Sequence, residues 1–362
     1  LNGKVPKEEY ENLAPLSHKD STLKIDIPEE AKGEIIIVFS FLRREATRFC
    51  EKGYEQTFDQ YILRAALPKE EKKDEGKVRV EGTEKRFTVT GEGFVYTFEN
   101  GQLASVRKGE REYLIKPFSP NFYRPLTDND IDYLNFTPPL IFANPLYQWR
   151  RSTAAAKSRA AFVHQYSHGA FVETHITAFG MKNVKIFYTV HPDGRIGVSY
   201  EGKAKMDMLR FGLQLRLDGG FDRVKWYGRG PQETYCDRKT GGKFGIYEMK
   251  VSELEHRYMR PQENGQRTDV RSLEFMNEEG SAIRFTAKGE APLCFGALRF
   301  SLEDLDKAEH GYDLHDCGFT NVTLDLMQRG VGGDAPGSAC LHEPYIMHKG
   351  KTYKLEFEIE VK

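Results

Sequence analysis

LRFGLQLRL, residues 209–217, alternates Leu209, Phe211, Leu213, Leu215 and Leu217 with Arg210, Gly212, Gln214 and Arg216. Successive side chains of a β-strand point to opposite faces, so this period of two predicts a strand with one face in a core and the other in water. The same pattern recurs upstream in Val184, Ile186, Tyr188 and Val190. It recurs downstream in Tyr353, Leu355, Phe357, Ile359 and Val361, set against Lys354, Glu356, Glu358 and Glu360. Turn chemistry separates such stretches. Phe87–Thr90 passes through Gly91-Glu92-Gly93 into Phe94–Phe98, which predicts a hairpin. Asn100-Gly101 follows, a pair that tolerates the positive φ angles of a tight primed turn. His191-Pro192-Asp193-Gly194 closes another strand in the same way. Helical patterns are scarce; the best is Ser301–Glu309, where Ser301 can cap and Glu303 and Asp304 fall in the first turn. The chain is predicted to be all-β and antiparallel, with one or two short helices.

Composition narrows the function classes. The 362 residues leave room for two or three domains and a sizeable core. With 53 basic and 54 acidic side chains the net charge is −1, without the basic surplus of a nucleic-acid binder. Hydrophobic residues at 39% and aromatics at 12% argue against disorder. No apolar run approaches the ~20 residues needed to span a bilayer, and the opening LNGKVPKEEY lacks the apolar stretch of a signal peptide. The first residue is Leu1 rather than Met, which suggests a piece of something longer, cropped or processed. Cys50, Cys236, Cys294, Cys317 and Cys340 are odd in number and widely spaced, so neither a disulfide framework nor a zinc ribbon is indicated. Reduced thiols in a cytoplasmic protein are the plain reading.

The strongest boundary is PKEEKKDEGK, residues 68–77, which has nothing apolar to bury and reads as an exposed linker. Residues 1–67 carry strand-like stretches at Leu23–Ile27, Glu34–Phe41 and Tyr54–Leu63, few for a full sandwich. They fit an immunoglobulin-like module without its first strands. Residues 78–362 show no comparable break and predict one large double-sheet domain.

Several constellations bear on chemistry. Asp128-Asn129-Asp130 with Asp132 has some look of a calcium loop but lacks the glycine and distal glutamate of an EF-hand, so polar turn residues after Pro125 are the plainer reading. His310 and His315, with Asp313 and Asp316, match no zinc spacing and read as solvated loop residues. Gly330–Asp334, GVGGD, has no Lys-Ser/Thr and no following helix pattern, so it reads as a tight turn rather than a phosphate cradle. Two loops are denser: WYGRGPQETYCDRKTGGKFGIYE, residues 226–248, and YMRPQENGQRTDVR, residues 258–271. Each mixes aromatic, Arg, Glu, Asn and Gly without period. Such runs either satisfy one another through Arg–carboxylate forks or build a sugar pocket, and the residues alone leave both open.

These two loops, with MQRGVGGD (residues 327–334) and NFYRPLTDNDI (residues 121–131), resemble in order and spacing the C-terminal end of bacterial β-galactosidases of glycoside hydrolase family two. The resemblance covers most of residues 121–362. It implies a galactose-mutarotase-like antiparallel supersandwich from about Gly76, preceded by the end of an immunoglobulin-like β-sandwich. It also implies that the acid and the glutamate nucleophile lie in a TIM-barrel domain or large subunit outside this chain, since no strand–helix alternation of a barrel is present here. No catalytic residue and no cofactor are then expected in the chain; any magnesium and sodium of the parent enzyme would sit in other domains.

The chain's share would be a wall of the pocket for a terminal β-galactoside such as lactose, together with assembly contacts that allow a homo-oligomer. Arg329, Asp334, Gly337 and Ser338 would edge that pocket. Arg229, Glu233, Arg260, Glu263, Asn264 and Arg267 form a polar cluster that is either structural or sugar-facing. Asp334 would contact sugar or cap the amides of its own turn. Many relatives carry a sugar-stacking tryptophan where this chain has Gly337, and Tyr345 is a candidate to replace it. Two other readings stand beside this one. A free-standing aldose epimerase would use Glu233 or Glu263 as base and His256 as acid. A carbohydrate-binding module would bind galactose unaided.

Overall fold

The computed structural model describes residues 16–18, 20, 22, 27, 33–65, 76–132, 145–334 and 341–362. The expected linker lies almost wholly outside the described residues, as do Gly337, Ser338 and most of the strand-like stretch at 23–27. The chain divides into two compact units, Leu1–Glu71 and Lys72–Lys362.

In the first unit, β1 (Ile35–Leu42) pairs antiparallel with β2 (Glu55–Arg64). Both carry exposed apolar residues, among them Phe41, Leu42, Tyr61 and Ile62.

The second unit is built from three antiparallel sheets. The first runs in chain order: β3 (Arg79–Thr83), β4 (Arg86–Gly91), β5 (Phe94–Glu99), β6 (Gln102–Lys108) and β7 (Arg111–Glu112). The β4–β5 hairpin turns at Glu92-Gly93, as the sequence predicts. Asn100 and Gly101 join β5 to β6 with φ of 49° and 82°, the double positive φ that favours this pair. The remaining strands are β8 (Leu114–Asn121), β9 (Lys157–Tyr166), β10 (Gly169–Thr177), β11 (Met181–Val190), β12 (Ile196–Ala204), β13 (Arg210–Asp218), β14 (Arg223–Gly230) and β15 (Lys243–Lys250). They continue as β16 (Arg267–Val270), β17 (Ser272–Met276), β18 (Ala282–Ala287), β19 (Leu293–Leu298), β20 (Phe319–Gln328) and β21 (Thr352–Val361). Nine of them form one sheet, in the order β15-β14-β17-β18-β21-β12-β11-β10-β9. Five form the other, β16-β19-β20-β13-β8, with β8 beside β6 of the first sheet. The helices are short: α1 (Asp128–Asp132), α2 (Gln148–Ala154) and α3 (Leu302–Lys307). Ser301 caps α3, accepting from the Asp304 amide at 3.2 Å while Asp304 accepts from the Ser301 amide at 2.8 Å.

Aromatic rings from the nine-stranded sheet interdigitate with rings from the smaller sheets, which places the core between the layers. Tyr200 stacks on Phe211 at 4.4 Å, Phe98 meets Tyr188 at 5.3 Å, and Trp226 meets Phe295 at 5.7 Å. Trp149 and Trp226 are both buried.

The opening stretch departs from its sequence reading in one respect. Leu213, Leu215 and Leu217 of β13 enter the core as expected, but the opposite face is not all wet: Arg210 is 1% exposed and Gly212 is buried. A period of two reports which residues share a face; it cannot report that loops cover the polar one. Here Glu263 meets Arg210 on that face and Gln266 meets the neighbouring Asp325.

Candidate functional site

β8, β13 and β20 are antiparallel neighbours, so the end of β8, the start of β13 and the end of β20 share one edge of their sheet. The segments that follow β8 and β20 therefore emerge together. Arg124, three residues beyond β8, joins them. Its Nε and Nη2 reach Asp130 Oδ2 and Oδ1 at 3.1 and 3.0 Å, a planar fork on a carboxylate. Nη2 also donates to the Gly330 carbonyl at 2.9 Å and Nη1 to the Arg329 carbonyl. The GVGGD turn is fastened at three further points. Gly330 donates to the Tyr345 carbonyl at 3.0 Å, Asn129 Nδ2 to the Val331 carbonyl at 2.8 Å, and the Gly332 amide to Asp237 Oδ2 at 2.7 Å.

A cleft of about 650 Å³ opens at this edge. Its walls are Thr127, Asp128 and Asn129; Tyr235, Asp237 and Arg238; Tyr258, Gln262 and Glu263; Val331–Asp334; and Leu341, His342 and Tyr345. All four quoted sequence stretches thus converge on one concavity from separate parts of the chain. Its polar lining is dominated by acceptors, and Tyr235, Tyr258 and Tyr345 stand among them, a combination suited to a polyhydroxylated ligand.

Glu263 is 5% exposed and accepts from Arg210 Nη2 at 3.1 Å, Gln328 Nε2 at 2.8 Å and the Tyr235 hydroxyl at 3.4 Å. Its own amide donates to the Pro125 carbonyl at 3.2 Å, which ties the 258–263 wall to the start of the first wall. Asp334 lies at the mouth, where its Oδ1 meets His342 Nε2 at 2.6 Å; it pairs with this exposed side chain. Asp128 accepts from Arg260 Nε at 2.7 Å and Gln262 Nε2 at 3.0 Å. Partial burial pulls its carboxyl up, but these two hydrogen bonds outweigh that and hold it below the usual carboxylate range. Tyr345 is half-buried and lines the cleft.

The other sequence candidates stand behind the walls. Glu233 accepts from Tyr258 and Arg238, both of which line the cleft, and from the Gly265 amide at 2.7 Å. Asn264 accepts from the His256 amide at 3.1 Å and donates to the Gln262 carbonyl at 3.0 Å. Arg267 has no carboxylate within salt-bridge distance among the described residues. It donates instead to the carbonyls of Pro231, Leu254 and Gly265, and burial pulls its guanidinium down to about 10. Arg229 belongs to a separate cluster, 2.6 Å from Asp269, which Lys239 also contacts. Arg329 is buried; its backbone amide bonds the Leu209 carbonyl at 2.8 Å.

Sequence reading missed Asp128, Asn129, Asp237, Tyr258 and His342. The first four lie inside the quoted stretches, but turn chemistry accounted for them equally well. His342 carried no signal, because its role depends on the return of the chain after residue 334. The acidic run Asp128–Asp132 forms α1 rather than a loop, with Asp130 paired to Arg124 and Asp128 to Arg260. No group of three or more His, Cys, Asp or Glu suited to a metal occurs among the described residues. No helix among them is long and apolar enough to cross a membrane.

Comparison with known proteins bears on the same region. Residues 90–359 match the family described as beta galactosidase small chain. The chain is similar to a beta-galactosidase of Priestia megaterium, 28% identical over 96% of this chain and 34% of that one. It is similar to the Streptococcus thermophilus beta-galactosidase, 28% identical over 99% of this chain and 34% of that one. The chain therefore spans about a third of the length of the curated relatives it matches. Among solved structures it aligns with a galactose 1-epimerase from Lactobacillus acidophilus at 10% identity and a TM-score of 0.41, over 80% of this chain and 99% of that one.

Proposed function

We propose, because this chain belongs to the β-galactosidase small-chain family, that it is the non-catalytic C-terminal part of a retaining β-galactosidase and forms one wall of its sugar pocket. The observation that carries this reading is the convergence of the four family-like stretches on a single cleft. In the proposal, residues 78–362 are the small-chain domain and residues 1–67 the end of a preceding immunoglobulin-like sandwich. The parent enzyme is cytoplasmic and acts on terminal β-galactosides such as lactose.

The chain's residues then bind and orient rather than cleave. Asp334 and Asp237 accept sugar hydroxyl hydrogen bonds, Tyr345 or Tyr258 offers a ring face to the C–H side of the sugar, and Glu263 holds the back wall. Retaining cleavage needs an acid and a nucleophilic carboxylate about 5 Å apart, and in this reading the partner barrel supplies both. The placement of Glu233 supports that division: it accepts on both carboxylate oxygens from three donors and stands behind Tyr258 and Arg238, which argues against it as the base of a free-standing epimerase.

The test is a chromogenic β-galactoside assay on the pure chain, alone and mixed with the catalytic barrel portion. No turnover alone and turnover on mixing is the expected result; hydrolysis by the chain alone overturns the reading. Anomer interconversion by the chain alone would make it an epimerase, and tight galactose binding in calorimetry would make it an autonomous binding module.

A further inference from the structure

Arg210 lies between two buried carboxylates with different stations. Glu263 faces the cleft and takes a hydrogen bond from Arg210 Nη2. Asp325, 0% exposed on β20, sits with Oδ1 3.3 Å from Arg210 Nε, yet neither atom makes a hydrogen bond with any protein group. One positive charge is thus shared unequally between two acids. The fold makes room for this arrangement. Gly212 is the cross-strand neighbour of Asp325, and a Cβ there would lie 2.0 Å from Oδ1. Among the described residues, the remaining groups around Asp325 supply no second cation. Gln266 donates to Oδ2 at 3.3 Å; Cys294 pairs with it across β19–β20; Tyr200 approaches from the nine-stranded sheet. Burial pushes the Cys294 thiol and the Tyr200 phenol up, so both are neutral at ordinary pH.

We infer that Asp325 is a proton-carrying positioning residue for the cleft wall: its protonated carboxyl leaves Arg210 to Glu263, and loss of the proton to solvent draws Arg210 toward the sheet and loosens Glu263. Burial pushes the Asp325 carboxyl up to about 7, Arg210 pulls against this, and the negative charge of Glu263 adds to it. The inference deepens the sugar-pocket reading and rests on that reading for its consequence, not for its test.

The experiment uses the 362-residue chain labelled with ¹³C at its carboxyl carbons. Infrared difference spectra between about pH 6 and about pH 8.5 should show one protonated aspartic acid C=O band lost with a midpoint near 7, absent in D325N throughout. The Glu263 carboxyl resonance, assigned through E263Q, should shift over the same interval in the wild type and stay fixed in D325N. Absence of the band, or an equal shift of Glu263 in D325N, overturns the inference. If D325N does not fold, the isotope-shifted band and the pH response of the Glu263 resonance in the wild type decide it alone: separate midpoints refute the coupling. Failure of the sugar-pocket reading would appear differently, as assembled enzyme whose galactoside KM ignores cleft substitutions while both spectroscopic results stand.

Discussion

Replacing Arg124 with methionine separates the fastening of the cleft from the stability of the core. Arg124 and Asp130 are 0% and 5% exposed at their side chains, and the guanidinium also serves the carbonyls of Arg329 and Gly330. Methionine keeps much of the volume, so the change is chiefly electrostatic. Asp130 keeps the Thr127 amide at 3.0 Å as a donor but loses the guanidinium fork of Arg124. Breaking a buried pair from one side costs about 3–5 kcal/mol, because the surviving charge is left uncompensated. D130N should cost less, about 1–3 kcal/mol. It leaves a buried arginine on carbonyls alone, a state Arg267 already occupies in this protein. Adding D130N to R124M should recover part of the loss, since it removes the orphaned carboxylate. Urea unfolding followed by fluorescence measures all four proteins, as both tryptophans are buried. Amide exchange should rise at Gly330 and Gly332 in R124M before any global opening. R124M within about 1 kcal/mol of wild type, or a double variant no better than R124M, would refute the reasoning.

Four further outcomes follow from the same geometry. G212A places a Cβ 2.0 Å from Asp325 Oδ1 and 2.5 Å from the Leu324 carbonyl, and should cost about 1–3 kcal/mol or more in chemical unfolding. G311A, with nothing within 4 Å, should lie within about 0.5 kcal/mol of wild type. The raised Asp325 carboxyl means that the folded chain binds a proton the unfolded chain has released. Its contribution, on the order of 4 kcal/mol, is fully present below about pH 4 and is lost as pH rises through 7; that slope should flatten out of the stability–pH curve in D325N. H342A removes an exposed side-chain contact with Asp334, so unfolding should move by less than about 0.5 kcal/mol. In the assembled enzyme the same change should raise the galactoside KM, and an unchanged KM would remove Asp334 and His342 from the pocket.

The strand register of the core was legible because its alternation is regular. In β11, β13 and β21 the aliphatic and aromatic set falls on one face, and Asn100-Gly101 has the positive φ its chemistry permits. The polar ends were not legible in the same way. Arg210 sits in the solvent-facing phase of its strand yet is buried, because a loop more than fifty residues later in the chain folds over it. Period analysis uses neighbours within a strand, whereas Arg210 and Glu263 find each other across 53 residues and Arg124 reaches the Gly330 carbonyl across 206. The quoted stretches did locate the cleft, since each supplies part of its wall. They did not separate lining residues from buttresses: Glu263 and Glu233 occupy similar settings in sequence, but Glu263 faces the cleft and Glu233 stands behind Tyr258.

The distribution of buried arginine argues that this edge was built for shape rather than for stability. Arg124, Arg210, Arg267 and Arg329 are each at most 4% exposed, and all lie in or beside the segments that frame the cleft. A buried ion pair is commonly no better for stability than well-packed apolar residues, so four desolvated guanidiniums are a costly way to hold loops. They do what apolar packing cannot. Arg124, Arg210 and Arg267 each hold carbonyls or carboxylates from different segments at hydrogen-bond distance, so the walls keep their position before a ligand arrives. Arg267 makes the point most clearly: it donates to the carbonyls of three separate residues, and its charge stays in the interior although burial pulls it down to about 10. A surface with no ligand to meet would gain from replacing that residue with leucine, whereas a preformed pocket wall would lose its geometry.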